Sequence, residues 1–257
     1  MKRRKLMQYA GASVLSALGT AGMSSDTSAQ TPGAVTVQWL GHSSFLFTGN
    51  GLRILVNPFQ TLGCTAGYRP PRVEADVVLV SSWLLDEGAA EGLPGNPRVL
   101  YEPGIFSLGG IRLQGIATPH DREGGRRFGT NVVWLWTQGG INILHLGGAA
   151  APIELEQKIL MGSPDLALIP VGGGPKNYNP QEAQQAMEVL QPKLVIPTQY
   201  LTEAANKETC DLAPVEEFLA ATENIPVERL GGDTLTLTQG ELPADGPLIR
   251  VLSYQYS

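Results

Sequence analysis

Charge is scarce in this chain: Asp, Glu, Lys and Arg together make up 16% of 257 residues, aromatic residues 7%, and there are only 2 cysteines and 3 histidines. With 42% hydrophobic residues, so little charge excludes a disordered polyelectrolyte. There is no Cys-x-x-Cys and no histidine close in sequence to Cys64 or Cys210, which excludes a zinc-thiolate site of ordinary spacing. No His-Glu-x-x-His, Walker loop or Gly-x-Gly-x-x-Gly turn occurs. Gly172-Gly173-Gly174-Pro175-Lys176 lacks the Walker spacing and its Ser/Thr, and reads as a turn. Gly41-His42-Ser43-Ser44-Phe45 has Phe45 where a nucleophile elbow needs its second glycine and precedes a strand, which excludes an elbow-type serine hydrolase. The 31 glycines keep no three-residue period, so collagen is excluded, and with 19 prolines they disfavour an all-helical bundle. A turn-rich β or mixed α and β protein is left.

Met1-Lys2-Arg3-Arg4-Lys5 precedes the uncharged, apolar stretch Leu6 to Met23, an export-signal pattern. Arg3-Arg4 and the Gly-diluted apolar region resemble the twin-arginine variety, with an ordinary Sec signal as the alternative. Cleavage after Thr27-Ser28-Ala29 is expected, so residues 1–29 are the signal and residues 30–257 a single domain in the periplasm or an equivalent extracytoplasmic compartment. That domain carries 14 basic against 23 acidic residues, a net charge of −9, so nucleic acid is not an expected partner. No stretch after the signal has the length and apolarity of a membrane span. Cys64 and Cys210 are 146 residues apart, and either one bridge or two ordinary buried thiols fits the sequence.

Strand signals dominate the first half. Val35–Leu40, Phe45–Phe47 and Arg53–Val56 predict an antiparallel meander. Asp76–Val80, a run of Val and Leu, predicts a strand buried on both faces. Arg98–Tyr101, Ile111–Ala117, Asn131–Thr137 and Ile141–His145 continue the series, the last two joined by a hairpin turn at Gln138-Gly139-Gly140. Helices are then predicted at Pro152–Met161, with Ile153, Ile159 and Leu160 on one face, at Pro180–Leu190 and at Ala213–Ala221. Strands are predicted at Asp165–Val171, Lys193–Ile196, Val227–Leu230, Thr234–Thr238 and Leu248–Leu252. Many strands followed by alternating helix and strand fit two packed sheets with helices outside, with a doubly wound parallel sheet second.

Trp39-Leu40-Gly41-His42-Ser43, Leu55-Val56-Asn57-Pro58-Phe59 and Asp76-Val77-Val78-Leu79-Val80-Ser81 open an ordered series that continues with Thr118-Pro119-His120-Asp121 and His145-Leu146-Gly147-Gly148. It ends with Leu168-Ile169-Pro170-Val171-Gly172 and Val195-Ile196-Pro197-Thr198-Gln199-Tyr200. Over nearly all of residues 35–201 this series resembles the metallo-β-lactamase superfamily, most of all its branch of ascorbate-6-phosphate lactonase-like hydrolases. The resemblance implies an α+β fold, a four-layer αββα sandwich, with His and Asp from strand-end loops holding one or two metals that activate water.

The chain departs from that family at its chemistry. Where the family has His-x-His-x-Asp-His, this sequence reads Ser82-Trp83-Leu84-Leu85-Asp86-Glu87. Ser82 and Leu84 stand for two imidazoles, Asp86 matches the family's Asp, and Glu87 replaces a third His. Gly148 stands for a bridging Asp, Gln199 for the last ligand His, and Asn57 for a supporting Asp. Only His120 matches a family ligand unchanged. The resemblance therefore implies a degenerate site: no cofactor is expected, and the alternative is zinc or manganese at one weak site on Asp86, Glu87 and His120. His120 and Asp121 are the candidate catalytic pair, Asp121 either orienting His120 or pairing with Arg122, Arg126 and Arg127. His42, Arg126, Arg127, Gln199 and Tyr200 are candidate substrate-binding residues. Trp83, Tyr200 and Phe128 are either pocket-lining or core aromatics. The expected function is non-hydrolytic binding of a small molecule or protein, and the alternative is hydrolysis of lactones or phosphoesters.

Overall fold

A computed structural model describes residues 33–254 and 256 of the chain; the expected export signal lies outside the described residues. Ala34–Gly41 (β1), Ser44–Gly49 (β2) and Leu52–Val56 (β3) form the antiparallel meander read from the sequence. Asn50 and Gly51, both at positive φ, make the tight β2–β3 turn, a conformation Asn and Gly tolerate best. Val77–Leu79 (β4) and Arg98–Leu100 (β5) add in parallel beyond β3.

Gly104–Leu108 (β6), Ile111–Pro119 (β7), Thr130–Gln138 (β8) and Ile141–His145 (β9) build the antiparallel half of a second sheet. Leu166–Pro170 (β10), Leu194–Thr198 (β11), Val227–Arg229 (β12) and Leu248–Val251 (β14) complete it in parallel. Thr234–Thr238 (β13) pairs with β1 on the first sheet, so the strand orders are β13-β1-β2-β3-β4-β5 and β12-β14-β11-β10-β9-β8-β7-β6. Leu155–Met161 (α1), Pro180–Leu190 (α2) and Val215–Ala221 (α3) are the α-helices among the described residues.

The sheets close on one core in which Phe45 and Phe47 of β2, Leu113 of β7, Trp134 of β8 and Ile143 of β9 are fully buried. Burying each such side chain contributes about 1.5–3 kcal/mol. Buried Gln138 ties the sheets together: its amide nitrogen donates to the Gly49 and Leu52 carbonyls, 2.8 Å each, and its oxygen accepts from Trp136 Nε1 at 3.2 Å. β4 is buried on both faces as its composition predicts, Val77 and Leu79 toward the main core and Val78 toward a second cluster with Leu55, Ala75 and Val80. Loop residues Val73, Ala90 and Leu93 cover that second cluster, so the outer layer over the smaller sheet is loop.

Two sequence expectations change. β6 was not predicted; it is an edge strand with Ile105 62% exposed, so its alternation carries no core signature. α1 starts at Leu155, not Pro152, and its expected apolar face is split: Ile153, before the helix, packs against the core, whereas Ile159 is 71% and Leu160 45% exposed, and Met161 is buried instead. The helix packs through its C-terminal end and its contacts with β7 and α2, which leave that side uncovered.

Candidate functional site

Every segment of the family-like series ends at the C-terminal end of a strand, and those ends meet. His42 follows β1, Ser81 to Glu87 follow β4, His120 follows β7, Leu146 to Gly148 follow β9, Gly172 to Lys176 follow β10, and Gln199 follows β11. His42, Asn57 and Gln199 hold positive φ of 52°, 48° and 50°, a region non-glycine residues seldom adopt and one that persists where surrounding structure enforces it. Here the enforcement is visible: the His42 carbonyl accepts Trp39 Nε1 at 3.1 Å, and Asn57 Oδ1 accepts the Ser81 amide at 2.9 Å.

At the centre lies Glu87, fully buried. Its Oε1 accepts from Gln199 Nε2 at 2.7 Å, its Oε2 accepts from Ser82 Oγ at 2.9 Å, and His120 Nε2 stands 3.4 Å from Oε2. Gln199 Nε2 in turn is 3.5 Å from His42 Nε2, which is 3.5 Å from Asp86 Oδ2, and Asp86 forms an ion pair with Lys176. The network therefore runs unbroken from His120 through Glu87, Gln199, His42 and Asp86 to Lys176. Its inner members, His42, Glu87, His120 and Gln199, are at most 2% exposed, and only its Asp86 and Lys176 side chains, 18% and 22% exposed, reach toward solvent.

Burial alone would raise the Glu87 carboxyl, but the charge and hydrogen bond of His120 and the nearby Lys176 charge outweigh it and hold the carboxyl below its usual range. Burial works against a charged His120 too, yet Glu87 raises it. Asp86 is held well down despite burial by the hydrogen bond to His42 and the charge of Lys176. His145 differs: burial pushes it down to about 4. Its Nε2 donates to the Ser43 carbonyl at 3.0 Å and its Nδ1 accepts the Gly147 amide at 3.1 Å, which fixes one neutral tautomer. As pH falls from about 6.5 toward about 4, the unfolded chain gains a proton at residue 145 that the folded chain refuses, so this group is expected to remove up to about 3 kcal/mol of stability. His120 has the opposite sign, its contribution being lost as pH rises above the usual histidine range. A titration followed by imidazole nitrogen NMR checks both: His145 stays neutral to about pH 5, while His120 keeps its proton above the usual histidine range.

Positions 87 and 148 compete for one space. A Cβ on Gly148 would collide with Glu87 Oε1 and lie 2.6 Å from His120 Cε1, so the Glu87 carboxylate fills the space that a side chain at 148 would need. Among the described residues no group of three or more His, Cys, Asp or Glu is placed to hold a metal ion. Of the three metal candidates two meet, Glu87 facing His120, while Asp86 turns away to His42 and Lys176. The arrangement does not fit a metal, because three protein groups already face the Glu87 oxygens and an ammonium sits on Asp86.

The remaining candidates fall elsewhere. Asp121 neither orients His120 nor pairs with an arginine; its carboxylate accepts the backbone amides of Glu123, Gly125, Arg127 and Phe128 at 2.8–3.0 Å, because a short carboxylate in a tight loop bonds its own backbone first. Arg126 pairs with Glu123 at 3.7 Å and Arg127 lies over the Phe128 ring at 4.9 Å; neither joins the network. Tyr200 is core, its ring 5.8 Å from that of Trp39. Trp83 is 58% exposed and packs on exposed Tyr101, so it is not core. Phe128 is half-buried beside His120. Cys64 and Cys210 form a disulfide, Cα atoms 4.8 Å apart.

Lys176 was missed. It stands in the glycine-rich segment read as a turn, and the turn is what aims it: Arg122 donates to the Gly174 and Asn177 carbonyls at 2.9 Å each while also pairing with Glu182, and Asn179 and Glu182 cap α2. The available signal was position, a strand-end loop in the same ordered series as the other site segments.

Against known sequences, residues 36–199 match the family model described as Beta-lactamase superfamily domain. The chain belongs to the metallo-β-lactamase superfamily. A UPF0173 metal-dependent hydrolase of Thermococcus onnurineus is 30% identical over 193 residues, covering 65% of this chain and 85% of that protein. Its counterpart TTHA1283 of Thermus thermophilus is 31% identical over 195 residues, covering 65% and 84%. Among solved structures, a Thermotoga maritima protein assigned to the metallo-β-lactamase superfamily as a Zn-dependent hydrolase is similar at TM-score 0.69 and 29% identity, covering 86% of this chain and all of that one.

Proposed function

We propose that this superfamily member is an exported protein whose degenerate metal site no longer hydrolyses substrate, and that it serves as a binding or accessory protein for a small molecule or protein partner. One observation carries the reading: Glu87, fully buried, lies where a side chain at 148 would project and is supplied with donors by Ser82, Gln199 and His120. A water-activating metal needs free lone pairs and an open coordination position. The Cys64–Cys210 disulfide supports an oxidising, extracytoplasmic location, where such bonds persist.

A second reading, a hydrolase of lactones or phosphoesters with a remodelled site, is favoured by the relatives, which are named metal-dependent hydrolases. Purified residues 30–257, offered zinc or manganese, distinguish the two. The first reading expects far less than one equivalent of bound metal and hydrolysis no faster than that of a His120→Ala control. Near-stoichiometric metal, with hydrolysis abolished by His120→Ala, establishes the second.

A further inference from the structure

Asp86 and Glu87 are adjacent carboxylates in one network with two imidazoles, Asp86 3.5 Å from His42 Nε2 and Glu87 3.4 Å from His120 Nε2, with little access to water. Two buried anions require positive charge nearby, since an uncompensated buried charge costs several kcal/mol. A cluster of carboxylates and imidazoles commonly meets that need with a divalent cation. Here an amino acid meets it. We propose that the Lys176 ammonium is the resident cation at the outer end of this site, balancing Asp86 while His120 faces Glu87, and excluding a divalent ion from it; this rests on the degenerate-site reading above.

The placement is built rather than incidental. The loop that carries Lys176 leaves β10 at Gly172, where a Cβ would lie 2.9 Å from Tyr200 Cα, so only glycine lets it pass against the backbone of residues 199–200. Arg122 then anchors the loop on both sides of Lys176, through the Gly174 and Asn177 carbonyls, and Arg122 itself is fixed by Glu182 at the start of α2. Lys176 keeps a side chain 22% exposed and reaches Asp86, which is 18% exposed, so the pair closes the outer end of an otherwise sealed network. Its charge also acts on Glu87 and His120 farther in. A divalent ion entering the cluster would meet this ammonium at the one partly open edge, and like charges at such range repel strongly.

The test uses residues 30–257 and thermal unfolding with and without zinc or manganese, together with bound-metal analysis. Lys176→Ala is expected to lower the melting temperature by about 5–10 °C, and added metal to restore several degrees while remaining bound. Wild type and Lys176→Arg are expected to show neither response. Asp86→Asn combined with Lys176→Ala removes the stranded carboxylate, so it is expected to regain much of the lost stability and to ignore metal. If Lys176→Ala does not fold, that double variant carries the test: recovered folding supports the proposal, and continued failure overturns it. Lys176→Ala melting within about 1 °C of wild type, or unmoved by metal, also overturns it and leaves the degenerate-site reading standing. Stoichiometric metal in wild type, with Lys176 intact, overturns both.

Discussion

Replacing Cys64 and Cys210 with serine is expected to lower the stability of residues 30–257 by about 5 kcal/mol, the loop-closure entropy returned to an unfolded chain when a bridge closing this many residues is lost. The bridge spans a separation of 146 residues, and what it joins explains why the folded state tolerates the constraint. Cys64 sits in the turn at residues 63–65, and Cys210 ends a loop whose Asn206 amide already donates to the Gly63 carbonyl at 2.9 Å. Two residues beyond that turn's end, the Gly67 amide donates to the Ala204 carbonyl at 2.7 Å. The same two segments meet again where Tyr68 bonds Thr202 at 2.8 Å. These contacts hold the cysteines together without the bond, so the effect acts mainly on the unfolded state. Guanidinium unfolding of the serine variant against wild type measures it. For a chain of this size the melting temperature should fall by about 10–20 °C. A loss below about 1 kcal/mol would mean that the reduced unfolded ensemble already keeps these segments close.

Gly148→Ala is expected to destabilise the protein by about 2–4 kcal/mol although it adds one methyl group. Gly148 does not hold a positive φ, so the backbone accepts alanine and the cost is steric. The methyl would collide with Glu87 Oε1 and lie 2.6 Å from His120 Cε1, both fully buried and fixed by hydrogen bonds. Gly148→Asp, which restores the acid implied by the family pattern, should cost more, because a larger side chain and a second carboxylate would be forced into the space that Glu87 fills. Glu87→Ser in the Gly148→Ala background is expected to recover at least half of the loss, the signature of two positions that share one space. Thermal unfolding of the two single variants and the double variant closes the cycle. An alanine variant within about 0.5 kcal/mol of wild type would show that the Glu87 carboxylate moves aside freely, and the network would lose its role as a fixed replacement.

Much of the fold was legible because strand burial writes itself into composition. The Val and Leu run around β4 and the Gly139-Gly140 turn, with both glycines at positive φ, specify local structure almost independently of the rest of the chain. β6 escaped because an edge strand with Ile105 exposed has no buried face to enforce a pattern. The outward face of α1 escaped for the opposite reason, since Ile159 and Leu160 carry a helical apolar pattern that nothing in the described chain covers.

At the site, sequence order located His42, Asp86, Glu87, His120 and Gln199, and the structure joins all five. What the order could not show is which carboxylate turns where. Asp86 and Glu87 are neighbours in sequence yet face different partners, because Ser82 and Gln199 draw Glu87 inward while Lys176 holds Asp86 at the edge. Lys176 is invisible to motif reading because its loop matches no motif; its role arises only when the β10 loop is brought against the β4 loop. Asp121 misled for a related reason, since sitting next to His120 in sequence says nothing about a carboxylate that four backbone amides occupy.

The central claim is that protein groups, not a metal, complete this centre. Its most direct test is the metal content of residues 30–257 purified without chelator, then incubated with zinc or manganese and freed of excess ion, beside His120→Ala. The account predicts far less than one equivalent in both proteins under every condition. Close to one equivalent in wild type that disappears in His120→Ala would contradict it.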